Sequence, residues 1–328
     1  MSRTKKVAIT AATAFACLIA YAITANYQAA PSPGARTLLL AHRGLSQTFP
    51  PDNVQNDTCT AKIIYPPTHD YLENTIRSMR ESFRLGADMV ELDIHPTTDG
   101  KFAVFHDWTV DCRTNGAGTT REQSMAYLKT LDIAWGYTAD GGKSFPLRGK
   151  GVGLMPTLDE VFAAFPGKHF LLNTKSNSAE EGRMLAARLA KLTPEERSRF
   201  IVYGGGDNVY ASLRVASLSN LVLAPKSGIK QCVLRYVLVG WTGYVPQSCR
   251  GTVVPVPINW AFLAWGYPYK LTERMKAYNS VVWLMGPLQG LEFSSGIDTP
   301  ALVARVPKGF DGSVWTNEIQ IAAKQMRG

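Results

Sequence analysis

Two histidines and an arginine are the residues of this 328-residue chain that first indicate chemistry. His42 directly precedes Arg43, and His106 directly precedes Asp107. Two imidazoles can act as general base and general acid around one breaking bond, one deprotonating a nucleophile and the other protonating the leaving oxygen. The guanidinium of Arg43 fits two oxygens of a phosphate. These residues together are typical of a site that cleaves a phosphate ester.

Two pairs of polar residues at alternate positions lie within or at the end of otherwise apolar stretches. Glu91 and Asp93 form the first pair, and Asn173 and Lys175 form the second. Residues two apart in a strand project from one face, and neighbouring carboxylates repel each other unless a cation compensates them. Carboxylate oxygens favour a hard cation, Mg²⁺ or Ca²⁺, over zinc. A solvated strand edge would explain one such pair, but two pairs favour metal-assisted cleavage of a phosphodiester.

Alternating strands and helices are needed to bring these residues together. Buried apolar runs predict strands at 37–41, 89–94, 169–174, 200–203, 221–224, 252–256, 280–284 and 313–316. Helical spacing occurs between them, notably at 73–85, 121–131, 157–165, 179–192 and 271–278. The Asp99-Gly100 turn predicts a hairpin arm at 102–105. The pattern predicts an α/β (β/α)8 TIM barrel with a hairpin and loop insertion after the second strand. An open doubly wound sheet is the alternative.

The first residues of the chain are typical of a targeting signal or a membrane anchor. A basic cluster at 2–6 precedes an uncharged apolar stretch at 7–25. That stretch is long for a signal peptide and just long enough to span a bilayer. Residues 1–36 are therefore predicted to be a signal peptide or membrane anchor plus linker, and residues 37–328 the barrel domain. Either alternative places the barrel outside the cytoplasm, periplasmic or secreted, and an anchor would add a membrane association through residues 7–25.

Cysteine usage and charge agree with an exported protein. Four cysteines follow the apolar stretch, and an even number in an exported chain favours disulfides. Of the three pairings, we prefer the sequence-local one, Cys59 with Cys112 and Cys232 with Cys249. The net charge of +9 suits an anionic substrate or surface. We expect no nucleic-acid partner, because the chain has neither zinc-finger spacing nor an arginine run on a helix.

A series of short motifs resembles, in order, that of the glycerophosphodiester phosphodiesterase family. The motifs are His-Arg-Gly at 42–44, Glu-Asn-Thr at 73–75, Gly-Ala-Asp at 86–88, Glu-Leu-Asp at 91–93, Asp-Gly at 99–100, His-Asp at 106–107, Pro-Thr-Leu-Asp-Glu-Val at 156–161, Gly-Phe-Asp-Gly at 309–312 and Thr-Asn at 316–317. The resemblance extends over about residues 38–317. It implies a TIM barrel of the phospholipase C-like phosphodiesterase superfamily that hydrolyses glycerophosphodiesters to glycerol 3-phosphate and an alcohol.

The resemblance also implies a role for individual residues. It makes His42 and His106 the acid–base pair. The substrate and its phosphate would contact Arg43, Glu73 and Lys175, while one divalent cation, Mg²⁺ or Ca²⁺, would bind Glu91, Asp93 and Asn173. The family usually has a glutamate at the position of Asn173, which predicts weaker metal binding here. The segment at 46–70 is longer than usual and predicts a reshaped substrate pocket or a lid.

Two other functions stay open at the level of the sequence. One is a phospholipase D-like enzyme that acts on lysolipids or sphingolipids and forms a cyclic phosphate. The other is a barrel that has lost catalysis and binds phosphorylated ligands or envelope lipids. Asn173 favours the second, whereas the presence of both histidines and both strand carboxylates argues against it.

The remaining histidines and a group of aromatic residues are predicted to have structural roles. We expect His95 to contact residues of the site rather than the substrate, and His69 to stabilise the insertion. We expect His169 to lie at the end of its strand away from the site. Packing is the predicted role of the aromatic residues after the 252–256 strand, with contact to a lipid or glycerol backbone as the alternative: Trp260, Phe262, Trp265 and Tyr267.

Overall fold

The computed structural model describes residues 3–51, 54–55, 57–288 and 295–328. Ser2 of the basic cluster and residues 52, 53 and 56 of the predicted insertion lie outside them. In the described residues the strands are β1 (Leu38–His42), β2 (Met89–Pro96), β3 (Phe102–Val104), β4 (His169–Thr174), β5 (Phe200–Gly204), β6 (Val222–Pro225), β7 (Val253–Pro257), β8 (Val281–Met285) and β9 (Ser313–Thr316).

Helices alternate with these strands. They are α1 (Arg3–Asn26), α2 (Ile76–Leu85), α3 (Met125–Leu128), α4 (Leu158–Ala164), α5 (Ala179–Ala190), α6 (Pro194–Arg197), α7 (Asp207–Val215), α8 (Lys226–Val239), α9 (Tyr269–Lys276), α10 (Pro300–Val303) and α11 (Ile319–Arg327). Short 3₁₀ turns occur at Thr60–Ile63, Thr120–Glu122, Gly240–Thr242, Gln247–Cys249 and Ala261–Leu263.

The strands form a nearly closed parallel barrel. Their order is β6-β5-β4-β2-β1-β9-β8-β7, and β3 pairs with β2 outside this path. The pairing of β3 with β2 is antiparallel, with Ile94 opposite Val104. The predicted TIM barrel and its hairpin after the second strand are therefore confirmed.

Two predicted helices differ from the observed ones. The helix predicted at 73–85 begins at Ile76, because the Thr75 side chain caps it by accepting a hydrogen bond from the backbone N–H of Ser78. The continuous helix predicted at 121–131 is wrong. Gln123 has extended backbone angles, and Ser124 caps the separate one-turn helix α3. The serine hydroxyl thus competes with a continuous helix for the backbone donors.

The inside of the barrel consists of an apolar layer below a polar one. The lower layer is buried and contains Leu40, Met89, Leu171, Ile201, Ala224, Val253, Trp283 and Trp315. Two residues further along four of these strands lie His42, Glu91, Asn173 and Tyr203. Because strand residues alternate between faces, these side chains point into the barrel above the apolar layer. The apolar layer closes the bottom and leaves the polar layer at the carboxyl ends of the strands.

Both predicted disulfides are present, Cys59–Cys112 and Cys232–Cys249. The first connects the insertion to the loop after β3, where a second small core forms around Phe105, Met125 and Tyr137. Among the described residues, α1 is long and apolar enough to cross a membrane, over Thr4–Asn26. Two disulfides and this helix agree with a location outside the cytoplasm.

Candidate active site

The register of the barrel brings the polar residues of neighbouring strands side by side. His42 lies opposite Glu91, Asp93 lies opposite Asn173, and Asn173 lies opposite Tyr203. His106 joins them because the backbone N–H of Phe105 donates to the carbonyl of Asp93 at 3.0 Å. One mouth cavity of about 600 Å³ is lined by both histidines, by two of the predicted phosphate ligands, Arg43 and Lys175, and by Asn173, a predicted metal ligand. We call it the mouth cavity below.

His42 is held by an amide. Its Nδ1 lies 2.7 Å from Oδ1 of Asn317, whose Nδ2 donates to Oδ2 of Asp298 at 2.7 Å. Because that oxygen of Asn317 can only accept, Nδ1 of His42 carries the proton and Nε2 is left as the basic atom. Nε2 lies 3.7 Å from Oε2 of Glu91. Burial and the positive charge of Arg43 hold the pKa of His42 well below its ordinary value.

His106 is held by a carboxylate. Its Nδ1 lies 2.7 Å from Oδ1 of Asp107, and Nε of Arg113 donates to the other oxygen of Asp107 at 2.9 Å. Burial alone would raise the pKa of Asp107, but Arg113 and His106 lower it below its ordinary value, so the residue is ionised. Burial together with Arg43 and Lys175 lowers the pKa of His106. This imidazole therefore has a charged partner where His42 has a neutral one.

Asp93 is the centre of the charged network. Nζ of Lys175 lies 3.2 Å from its Oδ1, and Nε of Arg43 lies 3.3 Å from its Oδ2. The side-chain amides of Asn173 and Asn74 donate to the same two oxygens at 2.9 and 3.0 Å. Burial would raise the pKa of Asp93, yet Lys175, His106 and Arg43 hold it well below its usual value. Asp93 is thus a buried anion that positions two cationic side chains.

The positive charge around Glu91 does not compensate its buried carboxylate. The hydroxyl of Tyr203 donates to Oε1 at 2.6 Å, and the backbone N–H of Arg43 donates to Oε2 at 3.2 Å. Burial and the neighbouring Asp93 raise the pKa of Glu91 to about 8. A fully buried carboxylate with a raised pKa fits a position beside a cation, because the positive charge would compensate the negative one.

The donor set therefore fits a hard divalent cation. Glu91 and Asp93 offer carboxylate oxygens on one face, and Asn173 offers an amide beside them. In the present arrangement the amide nitrogen of Asn173 faces Asp93, so its oxygen becomes a ligand only if the amide rotates. Across the described ranges, no three His, Cys, Asp or Glu side chains are grouped so that they could hold a metal by themselves.

Arg43 and Glu73 connect the site to the insertion. Arg43 has a left-handed backbone (φ 59°), and its Nη1 lies 3.2 Å from Oε1 of Glu73. Arg113 lies 3.1 Å from the other oxygen of Glu73 and donates to Oγ1 of Thr60 at 2.7 Å. Thr60 and Arg113 each directly follow a cysteine of the first disulfide, Cys59–Cys112. That disulfide therefore fixes the insertion beside the site.

A second cavity of about 330 Å³ lies on the other side of His42 and Arg43. Its walls come from the insertion, through residues such as Phe49 and Tyr65, and from Asp298 and Asn317. His42 and Arg43 thus line both cavities. The insertion therefore lines a cavity next to His42, and its effect on the substrate pocket stays a prediction.

The three histidines outside the proposed catalytic pair lie in the places that the sequence predicted. His95 is fully buried, and its Nε2 lies 3.2 Å from the carbonyl of His106. Gln47 donates to Nδ1 of His69 at 3.0 Å within the insertion. His169 begins β4, opposite Met89, at the end of the barrel away from the mouth.

Five residues of the network received no role from the sequence: Tyr203, Asp107, Asp298, Arg113 and Asn317. Tyr203 and Asn317 carry a signal, since each lies at or just beyond the carboxyl end of a strand, where barrel sites form. Asp298 and Arg113 lie in loops. Only the tertiary structure brings them to their partners.

The packing prediction for the aromatic residues after β7 is wrong for three of them. Trp260, Phe262 and Trp265 are 47%, 74% and 38% exposed, while Tyr267 packs against the main core.

Comparisons with known proteins identify the family. Residues 42–226 match the model of the glycerophosphoryl diester phosphodiesterase family. A glycerophosphodiester phosphodiesterase of Caldanaerobacter subterraneus is 34% identical over 145 residues, which cover 44% of this chain and 46% of that protein. One of Bacillus subtilis is 35% identical over 151 residues, 45% of this chain and 43% of that protein. The matched segment thus spans less than half the length of these relatives.

The fold has a counterpart among solved structures. The glycerophosphoryl diester phosphodiesterase domain of an uncharacterized Mycobacterium tuberculosis protein superposes with a TM-score of 0.61 and 17% identity, covering 88% of this chain and 98% of that one.

Proposed function

The chain belongs to the glycerophosphoryl diester phosphodiesterase family, and from this premise we propose that it hydrolyses glycerophosphodiesters to glycerol 3-phosphate and an alcohol. The observation that carries the proposal is the convergence of two histidines and two cationic side chains on the mouth cavity: His42, His106, Arg43 and Lys175. A binding site alone would have no use for two imidazoles whose Nδ1 atoms are each fixed by a hydrogen bond.

Arg43 and Lys175 bind the phosphate in this proposal. Both cations now contact Asp93, at 3.3 and 3.2 Å, and both also line the mouth cavity. Their remaining N–H groups can therefore bind a phosphate while Asp93 keeps them in place. Preorganised donors of this kind stabilise the charge that develops on the phosphoryl oxygens during the reaction.

The two histidines move the protons. A water molecule, or the neighbouring hydroxyl of the glycerol, attacks phosphorus while one imidazole accepts its proton. The bond from phosphorus to the alcohol oxygen breaks, and the other imidazole protonates that oxygen. If the glycerol hydroxyl attacks first, water opens the cyclic phosphate in a second step, and the products are the same.

One divalent cation, Mg²⁺ or Ca²⁺, completes the proposed site. Glu91, Asp93 and Asn173 would hold it, and when bound it would offset negative charge on the phosphoryl oxygens. Because Asn173 adds no charge, we expect weaker cation binding than three carboxylates would give. We also propose that the enzyme works outside the cytoplasm, which the two disulfides and α1 support.

Product analysis tests the proposal. The full chain is incubated with a panel of glycerophosphodiesters and lysolipids in Mg²⁺, Ca²⁺ or a chelator, and products are followed by phosphorus NMR. We expect glycerol 3-phosphate from the glycerophosphodiesters and no turnover in chelator. A cyclic phosphate as the final product would instead identify a phospholipase D-like enzyme, and no product with any substrate would identify a binding barrel.

A further inference from the structure

A set of exposed apolar and aromatic side chains lies beside the carboxyl end of α1. We call it the apolar face. It consists of Leu234 (57% exposed), Leu238 (72%), Tyr244 (55%), Trp260 (47%), Phe262 (74%) and Trp265 (38%). A water-soluble surface rarely has this many large apolar side chains together, and such a patch indicates an interaction site.

Hydrogen bonds join the segments of the apolar face into one surface. Nε1 of Trp265 donates to the carbonyl of Val237 at 2.9 Å, and the hydroxyl of Tyr236 donates to the carbonyl of Trp265 at 2.8 Å. The rings of Trp260 and Phe262 lie 5.8 Å apart. The turn after β7 is therefore attached to the last turn of α8, and the exposed side chains of both belong to the same region.

The same region holds the end of α1. The hydroxyl of Tyr21 donates to the carbonyl of Thr242 at 2.7 Å, and Nδ2 of Asn26 donates to the carbonyl of Trp241 at 2.8 Å. Arg274 donates to Oδ1 of Asn26 at 2.8 Å and also to the carbonyl of Ala25. A cationic side chain at the carboxyl end of a helix satisfies its free carbonyl groups. α1 thus ends in contact with the barrel and next to the apolar face.

α1 itself is exposed and apolar. The most apolar 18-residue window of its segment Thr4–Asn26 has a mean hydropathy of 2.0, and none of that window is buried against the rest of the chain. Twenty-three such residues match the thickness of a bilayer. Tyr21 and Tyr27, 51% and 70% exposed, lie at its carboxyl end, where aromatic residues are enriched at membrane interfaces.

We propose that α1 is retained as a membrane span and that the apolar face rests on the surface of the same bilayer. Two observations favour lipid over a second copy of the chain. The face is continuous with a helix of membrane-spanning length, and Lys230 lies on the same stripe of α8 as Leu234 and Leu238, at intervals of four residues. Exposed lysines beside apolar side chains fit anionic lipid headgroups.

The proposal gives the barrel an orientation. The turn that carries Trp260 and Phe262 follows the carboxyl end of β7, and Pro255 of β7 lines the mouth cavity. The rim of the mouth therefore lies next to the bilayer surface. This orientation is independent of the proposed hydrolysis, because it follows from contacts outside the polar network.

Spin labels measure the orientation without any turnover. In the full chain carrying Cys17→Ser, nitroxides are attached at Leu234→Cys, Leu238→Cys or Phe262→Cys, with Val152→Cys as a control of similar exposure (57%) on the loop after β3. Each chain is reconstituted in vesicles of phosphatidylcholine and phosphatidylglycerol. Thermal unfolding verifies that each labelled chain is folded, and three labelled positions guard against the failure of one.

We expect the labels on the apolar face to be more accessible to oxygen than to a water-soluble nickel chelate, and the label at position 152 to show the reverse. Equal nickel accessibility at all positions would overturn the proposal. Strong spin–spin broadening at 238 and 262 would overturn it in favour of a second copy of the chain. A mature chain that begins after residue 26, measured by mass spectrometry of the protein from its native membrane, would also contradict it.

Discussion

The two halves of the barrel differ in what they present at the mouth. The polar half, β1 to β5, places His42, Glu91, Asp93, Asn173 and Tyr203 there. The aromatic half, β6 to β9, contributes Pro255, Trp283, Met285 and Trp315 to the same cavity. The family match at residues 42–226 covers the polar half from the end of β1 and continues through β6, the first strand of the aromatic half.

The residues proposed for the reaction thus lie mainly in the polar half, whereas the aromatic half mainly shapes the cavity. Proton transfer and cation binding need particular atoms at particular distances, so the polar half carries short recognisable motifs. Trp283 and Trp315 each contact the ring of Tyr203 edge to face and form an apolar wall, which many sequences can build. Asn317 is the exception, since it follows β9 and yet holds His42.

The largest expected effect is the loss of either histidine of the polar half. His42→Ala or His106→Ala should lower kcat on an unactivated glycerophosphodiester by about 10²- to 10⁴-fold, because one proton transfer loses its partner. His169→Ala, a histidine at the opposite end of the barrel, is the matched control and should leave kcat unchanged. Full activity of either variant would remove that histidine from the mechanism.

The partners of the two histidines should differ in importance. Asp107→Asn replaces a carboxylate with a neutral group beside His106, and we expect kcat to fall about 10- to 100-fold. Asn317→Ala removes a neutral acceptor from His42, and we expect a smaller loss of about tenfold. The pH profile of kcat should shift in Asp107→Asn with little change in KM. A profile identical to that of the wild type would mean that Asp107 only stabilises the loop.

The amide at position 173 should set the cation affinity of the polar half. Asn173→Glu adds a carboxylate next to Asp93, and the Mg²⁺ concentration for half-maximal activity should fall about tenfold. Asn173→Gln, which has the same length without the charge, is the control and should not increase affinity. An unchanged titration in Asn173→Glu would show that position 173 is not a ligand.

The smallest effect concerns the aromatic half. Among the described residues, the buried Nε1 atoms of Trp283 and Trp315 have no hydrogen-bond partner, and both side chains line the mouth cavity. We predict that a substrate bound in the cavity reaches Nε1 of Trp283 with one of its hydroxyl groups. Trp283→Phe keeps most of the ring and should raise KM about two- to tenfold, the range of one neutral hydrogen bond, with kcat unchanged. A fall in kcat alone would place Trp283 in the chemistry instead.

The sequence predicted the barrel because its strands are buried runs, and several of them carry polar residues at alternate positions near their carboxyl ends. Glu91 and Asp93 could be assigned to one face from a spacing of two, and Arg43 from its place after His42. The break between Glu122 and Met125 was not predictable in this way, since it depends on a local competition between the Ser124 hydroxyl and the helix backbone.

Long-range partners were also beyond sequence reasoning. Arg113 and Asp298 lie in loops, and their roles depend on contacts with residues far away in the chain. The exposure of Phe262 was missed for a related reason. An aromatic residue after a strand is usually buried, yet this one is 74% exposed.

The most direct test of the two-histidine site compares two substrates that differ in the leaving group. Glycerophosphocholine needs a proton on its departing alcohol, whereas a glycerophospho-4-nitrophenyl ester releases a stable phenolate without one. We expect the activated ester to restore most of the lost kcat to one of the variants His42→Ala and His106→Ala and to leave the other impaired. Equal losses on both substrates in both variants would contradict it.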